Sequence, residues 1–328
     1  MGSDDSLPSI QTLVETMHAR GILYHILGPV ELSRRISAIA AKNNLGDPTA
    51  PTTFHAFVQS CYYHGDHRPR IPVVHNAIAF YACLSSDRNN ILTLDWYAYS
   101  YCGQNWYIID VETDDLSRIV PLRVYSPYHS SAPRRTAAVL DKSQPLPFWI
   151  VRRDGLGVSL VSDDLFMLRH DGMQFQNIAG GTRTTVMIQW PGYPRWKSQI
   201  RMGPTKEHKS EDYTYRRLVS QVRAKIRKFI TEHINIASED PHWAVGDAGS
   251  GRIAAHDLIL LAIIEVSQGA VMPILKLRDD FVFADSIPPA TALNTPAMVP
   301  PSDTQSSSHF PFPAFPSGAC MPDINGLD

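Results

Sequence analysis

The chain has 328 residues, 44% hydrophobic and 19% charged, with a formal net charge of -2. Such a length accommodates one large domain or two ordinary ones, and the composition excludes a wholly disordered chain. No run approaches the ~18 apolar residues of a membrane span.

In chain order, residues 1–8 read as a flexible, polar N-terminus. Ile10, Leu13, Val14 and Met17 then follow the i, i+3, i+4, i+7 spacing of an amphipathic helix that ends near Gly21. A second helix is expected after Pro29, with Leu32, Ile36, Ile39 and Ala40 as its apolar stripe, so that 10–45 is helical. Between 71 and 202 the pattern changes to short aromatic and β-branched runs at 91–101, 106–111, 119–125, 148–151, 157–161 and 184–190. Turn residues separate them, which predicts a mainly antiparallel sheet.

From 213 to 233 the apolar residues Tyr215, Leu218, Val219, Val222, Ile226, Phe229 and Ile230 share one arc of a helix of 3.6 residues per turn. The segment 256–278 reads as a buried apolar hairpin about Ser267-Gln268-Gly269, or as a helix, since so short a run carries no decisive period. Residues 286–328, rich in Pro and Ser, are expected to be a disordered tail. The fold class is therefore α+β: N-terminal helices, then a sheet packed with an amphipathic basic helix, in one folded region at 9–285.

Charge is unevenly distributed. From Arg183 to Lys228 twelve basic residues face only Glu207, Glu211 and Asp212, whereas beyond Ile230 twelve acidic residues face Arg252, Lys276 and Arg278. Clustered cations that neutralise phosphates release counterions, so a surface of this kind binds nucleic acid without a base-reading motif. The candidate polyanion-binding residues are Arg195, Lys197, Arg201, Arg216, Arg217, Arg223, Lys225, Arg227 and Lys228. Pairing of the basic helix with the acidic third of the chain is the competing expectation.

Other constellations point to ordinary structure. His55, Cys61, His64, Asp66, His67 and His75 are dense in potential zinc ligands, but their spacing matches no zinc module and no metal is assigned. The loop 246–251 lacks the Gly-Lys-Ser/Thr of a phosphate loop and the Gly-x-Ser-x-Gly of a nucleophile turn. Asp114-Asp115, Asp163-Asp164 and Asp279-Asp280 are adjacent pairs of the kind usually solvated, and Trp96, Tyr97, Tyr99, Tyr101, Trp106 and Tyr107 read as sheet packing or a stacking face. No catalytic residue and no cofactor is assigned.

The string Val186-x-Ile188-x-Trp190-Pro191-Gly192-Tyr193-x-x-Trp196-x-x-Gln199-Ile200 resembles a group of proteins from mushroom-forming fungi. The likeness continues through the basic helix to Val266-Ser267-x-Gly269 and covers about a third of the chain. It implies a fungal, intracellular origin and no particular activity. Physically, Val186, Ile188 and Trp190 alternate onto one strand face and Pro191-Gly192 ends the strand, so Trp190 is expected to be a packing residue.

Residues 1–6 are acidic and polar rather than a basic-then-apolar leader, and Cys61, Cys83, Cys102 and Cys320 are too scattered for a disulfide framework. The expectation is an intracellular protein, nuclear or cytosolic, with no membrane contact. A non-enzymatic interaction or regulatory protein with an unknown protein partner is the first functional expectation. Nucleic-acid binding through 195–228 is the second, and an enzyme whose site is not visible as a motif is the third.

Overall fold

The computed structural model describes residues 10–44, 74, 76–82, 99–101, 104–125, 145–169, 183–202, 214–267 and 269–283. The chain divides into two compact units, Met1–Ile287 and Pro288–Asp328. The expected tail, the first eight residues and the cluster around His55 and Cys61 all lie outside the described residues. Within those residues the protein is α+β, with three helices and two sheets. No described helix is long and apolar enough to cross a membrane.

The N-terminal period closes into α1, Ile10–Met17, and Val14 of its apolar stripe is fully buried. The next helix begins earlier than the sequence suggested. α2 runs from Ile22 to Asn44 across a kink at Gly28, whose φ is 73°. Pro29 explains the kink: it has no N–H to donate, and its ring disfavours a helical conformation in the residue before it. Beyond the kink, Leu32, Ile36 and Ile39 point inward as expected.

On the same stretch Arg35 is also buried, which its charge gave no reason to expect. Its guanidinium donates to the Glu31 carboxylate at 2.9 Å and to the carbonyls of Pro145 at 3.2 Å and Glu265 at 2.8 Å. Burial pushes the Arg35 pKa down, opposed by Glu31. Burial also works against ionisation of Glu31, but Arg34 and Arg35 outweigh it and hold that carboxyl below its ordinary value.

The first sheet has strand order β1-β3-β2, all antiparallel: β1 is Ala77–Ala82, β2 Tyr99–Tyr101 and β3 Gln104–Val111. Of the aromatic run, Trp106 and Tyr107 in β3 are buried, which favours packing over stacking for these two. β3 also supplies Asp110, which fastens the helices to this sheet. Its Oδ1 accepts the backbone N–H of Leu23 at 2.7 Å and of Val111 at 2.8 Å. Its Oδ2 accepts the N–H of Tyr24 at 3.2 Å and lies 3.0 Å from His18 Nδ1. One carboxylate thus satisfies N–H groups of the first turn of α2, which no helical carbonyl can reach. Gly21 is required beside it, because a Cβ there would collide with the same carboxylate.

The second sheet follows the order β4-β8-β9-β6-β7, with β5 also pairing β8. These strands are Phe148–Trp149, Val158–Ser159, Arg183–Ile188, Trp196–Arg201, Leu258–Ser267 and Ala270–Leu277, for β4 through β9. The apolar segment is therefore a hairpin, β8–β9, buried along nearly its whole length as central strands are. Every ladder is antiparallel except β6 with β9, which pair in parallel at Thr185↔Ala270 and Val186↔Val271, so the sheet is mixed.

Residues 119–125 do not form the expected strand. They make one bridge, Ile119↔Lys276, and lie alongside β9 through Val120 N to Leu275 O. Pro121 supplies no N–H, and that of Leu122 turns back to the Val120 carbonyl at 2.8 Å.

Candidate nucleic-acid interface

The basic segment folds as a two-stranded ribbon followed by a helix. β6 and β7 are joined through Trp190-Pro191-Gly192-Tyr193, and the turn shows why those residues stand there. Trp190 is 1% exposed and its indole N–H donates to the Trp243 carbonyl at 2.7 Å, so it is a packing residue, as the sequence suggested. Gly192 has φ 74°, and a Cβ on it would collide with Ser238 and Asp240. The Tyr193 hydroxyl accepts the Val245 N–H at 3.1 Å. Trp190, Tyr193 and Trp196 all pack around Phe229 of the following helix, with ring centroids 5.6, 6.1 and 5.9 Å away.

That helix, α3, spans Tyr215–His233 and is capped by the Thr214 hydroxyl, which accepts from Arg217 N. Its apolar arc is buried against the sheet as predicted, and the Tyr215 hydroxyl reaches the Trp149 carbonyl at 3.0 Å.

Side chains alternate across a strand, and this divides the ribbon into two faces. Thr184, Val186, Ile188 and Ile200 are buried on the side where Trp196 meets α3. Arg183, Thr185, Lys197, Gln199 and Arg201 occupy the other side, and four of these five are exposed, Thr185 being half-buried. The register sets Arg183 directly opposite Arg201, Thr185 opposite Gln199 and Met187 opposite Lys197. One residue before β7, exposed Arg195 lies over the Tyr125 ring, 5.1 Å from its centroid. Tyr125 is brought there by the Arg123 N–H, which donates to the Gln189 carbonyl at 3.2 Å.

The nine candidate cations therefore separate into three groups. Arg195, Lys197 and Arg201 stand on the ribbon face turned away from α3. Arg216, Arg217, Lys225, Arg227 and Lys228 lie on the solvent side of α3, with Arg217 and Lys225 half-buried. Arg223 belongs to neither, being 5% exposed. It donates to the Ser162 carbonyl and lies 3.8 Å from Asp164, which also pairs with Arg152 at 2.7 Å. Burial lowers the Arg223 pKa, and Asp164 partly offsets this. Its work is to tie α3 to the segment after β5.

Of the acidic third, Glu232, which lies on α3 itself, is the one residue that pairs with a cation of the helix among the described residues. Lys228 pairs with Glu232 of α3 itself at 3.5 Å, and Glu232 is held below its ordinary pKa first by the Trp196 indole, which donates to it at 2.8 Å. Asp279 and Asp280 pair with Lys276 and Arg278. Arg183, Arg195, Lys197, Arg201, Arg216 and Arg227 have no carboxylate partner within the described residues. Arg183 was outside the sequence-based set. Its pairing with Arg201 depends on strand register, which no linear charge count contains.

Two other places could hold chemistry. A groove of about 550 Å³ is floored by Ile22, Val111, Leu156, Ile259 and Leu261, with Glu112, Asp114, Asp115, Lys276 and Asp279 at its polar wall. Asp114 is engaged by Arg20, Asp115 by Arg118 and Asp279 by Lys276. The Ser117 hydroxyl and Arg118 hold Asp115 below the ordinary carboxylate pKa. The His18–Asp110 pair has the residues of a general-base dyad, but both side chains are 0% exposed and the carboxylate is occupied by backbone donors. No group of three or more His, Cys, Asp or Glu is arranged to hold a metal ion among the described residues.

No protein-family model, curated protein or solved structure matches the chain.

Proposed function

We propose that the protein acts by binding rather than by catalysis, and that its ligand is a polyanion, with nucleic acid first, held by Arg183 together with the basic segment 195–228. The Arg183–Arg201 pair is the main support for this reading. Like charges directly opposite in an antiparallel pair are destabilising, where opposite charges would contribute roughly 0.2–1 kcal/mol. A phosphate between the two guanidiniums reverses that sign through charge-assisted hydrogen bonds.

Protection of an exposed sheet edge explains charges on β7. It does not account for a second arginine being set directly against Arg201, where an acidic residue would protect the edge equally well. Nucleic acid here ranks ahead of the protein partner that the sequence suggested first. The tail on which that expectation rested is outside the described residues.

The test is elution of the full chain from immobilised heparin in a salt gradient. Arg201→Glu is compared with Arg252→Glu, an exposed position in the Gly-rich loop that carries the same change in charge. Earlier elution of Arg201→Glu alone supports the reading. Co-elution of the two variants removes the ribbon from the contact surface.

A further inference from the structure

Arg195, Lys197, Gln199 and Arg201 occupy alternate positions along β7 and the residue before it. Successive members are therefore spaced by two residues of extended chain, about 6.7 Å. All four are hydrogen-bond donors. The row is single and exposed, and Arg183 widens it at the Arg201 end. At the other end Tyr125 presents a half-buried ring, its position fixed by packing against the core and by the Arg195 guanidinium.

A repeat near 6.7 Å is of the order of the spacing between successive phosphates in an extended nucleic-acid strand. A free two-stranded β-ribbon can enter a duplex major groove, but this one is joined to β9 along β6 and packed on α3 over its other face, so it presents a single row at a sheet surface. Aromatic and guanidinium planes beside a basic track are the elements that hold unpaired bases.

From this geometry we infer that the β6–β7 ribbon binds single-stranded nucleic acid. Arg195, Lys197, Gln199 and Arg201 track consecutive phosphates, with Arg183 sharing the last one with Arg201, and the Tyr125–Arg195 pair stacks on one base. The inference rests on the polyanion reading above and narrows it to one ligand class. Three phosphates neutralised by cations, one of them shared by Arg183 and Arg201, predict a slope of log K against log salt of about -2.1, at roughly -0.7 per neutralised phosphate. The base-stacking contact is independent of salt.

Fluorescence anisotropy of the full chain tests this, with four probes of equal length: oligothymidylate, oligouridylate, an abasic strand and a duplex. Both base-bearing single strands should bind at least about tenfold more tightly than the abasic strand, while all three share one salt slope. The duplex should bind more weakly than either. Lys197→Gln should lower the slope by about 0.7 and Arg201→Glu should abolish binding, each with an unchanged or higher melting temperature. Tyr125→Leu should weaken oligothymidylate to the abasic level at constant slope. Tyr125→Phe, which keeps the ring, should bind like the parent and separates stacking from damage to the fold.

Equal binding of all four probes would overturn the single-strand inference and leave the polyanion reading standing. Absence of binding to every probe and to heparin would overturn both. Loss of binding on Arg216→Glu with Arg227→Glu, but not on Arg201→Glu, would move the surface to α3 and overturn the ribbon assignment.

Discussion

Asp110 and Arg201 are both charged residues on β-strands, and the protein treats them in opposite ways. Asp110 is sealed from solvent and surrounded by donors: three backbone N–H groups and His18 converge on its two oxygens. Arg201 is exposed, faces another arginine and has no carboxylate partner within the described residues. Desolvation makes an unpaired interior charge far too costly to keep, so interior charges are fully engaged. At the surface an unfavourable pair costs little, and a chain can retain one for its ligand. The site is sought where charge is left over, rather than where it is most tightly organised.

Breaking the interior side of this contrast should have the largest effect. Asp110→Ala leaves several buried N–H groups without an acceptor, at roughly 1–3 kcal/mol each, so a loss of about 5 kcal/mol is expected in urea unfolding. A loss below about 1 kcal/mol would mean that water reaches the site. Trp190→Ala should cost about 3–5 kcal/mol by removing a buried ring and its hydrogen bond to Trp243, read from the shift in urea midpoint.

Acid should act more gently, through Glu31. Its folded pKa lies below the ordinary value of 4.5, so its contribution is complete above that value and fades as pH falls through the lowered one. The stability difference between the parent and Glu31→Gln should accordingly be constant near neutrality and shrink in acid. A difference that persists unchanged in acid would show that the glutamate acts only by shape. Smallest and opposite in sign, Arg201→Glu should stabilise by about 0.2–1 kcal/mol, by turning a repulsive cross-strand pair into an attractive one. A lowered melting temperature would mean that Arg201 is already engaged in the free protein.

Local patterns in the sequence reached the elements whose causes are local. The buried arc of α3 was visible because seven apolar residues share about 120° of helix, and the packing role of Trp190 followed from strand alternation. The β8–β9 segment was ambiguous, since a continuous apolar run suits a central strand and a buried helix alike. Arg223 illustrates a finer limit. Seven residues of helix bring it within about 20° of Ile230, so it lies at the margin of the apolar arc and was counted with the exposed cations. The Asp110 clamp could not be anticipated, because His18 and Asp110 are distant in the chain and neither carries a local signature. Arg183 was missed for the related reason that register, not spacing, sets it against Arg201.

The parallel join of β6 to β9 bears on the order in which the protein assembles. β8 and β9 meet across a tight turn, whereas Thr185 and Ala270 are about 85 residues apart and share only two ladder positions. Closing that large a loop is slow, so the central hairpin should form early, and the ribbon with its helix should dock onto it late. The same thin seam predicts that β6 amides exchange hydrogen well ahead of those in β8. The surface assigned to the ligand is then joined to the rest of the sheet by a thin seam, and a strand bound along it would protect those amides from exchange.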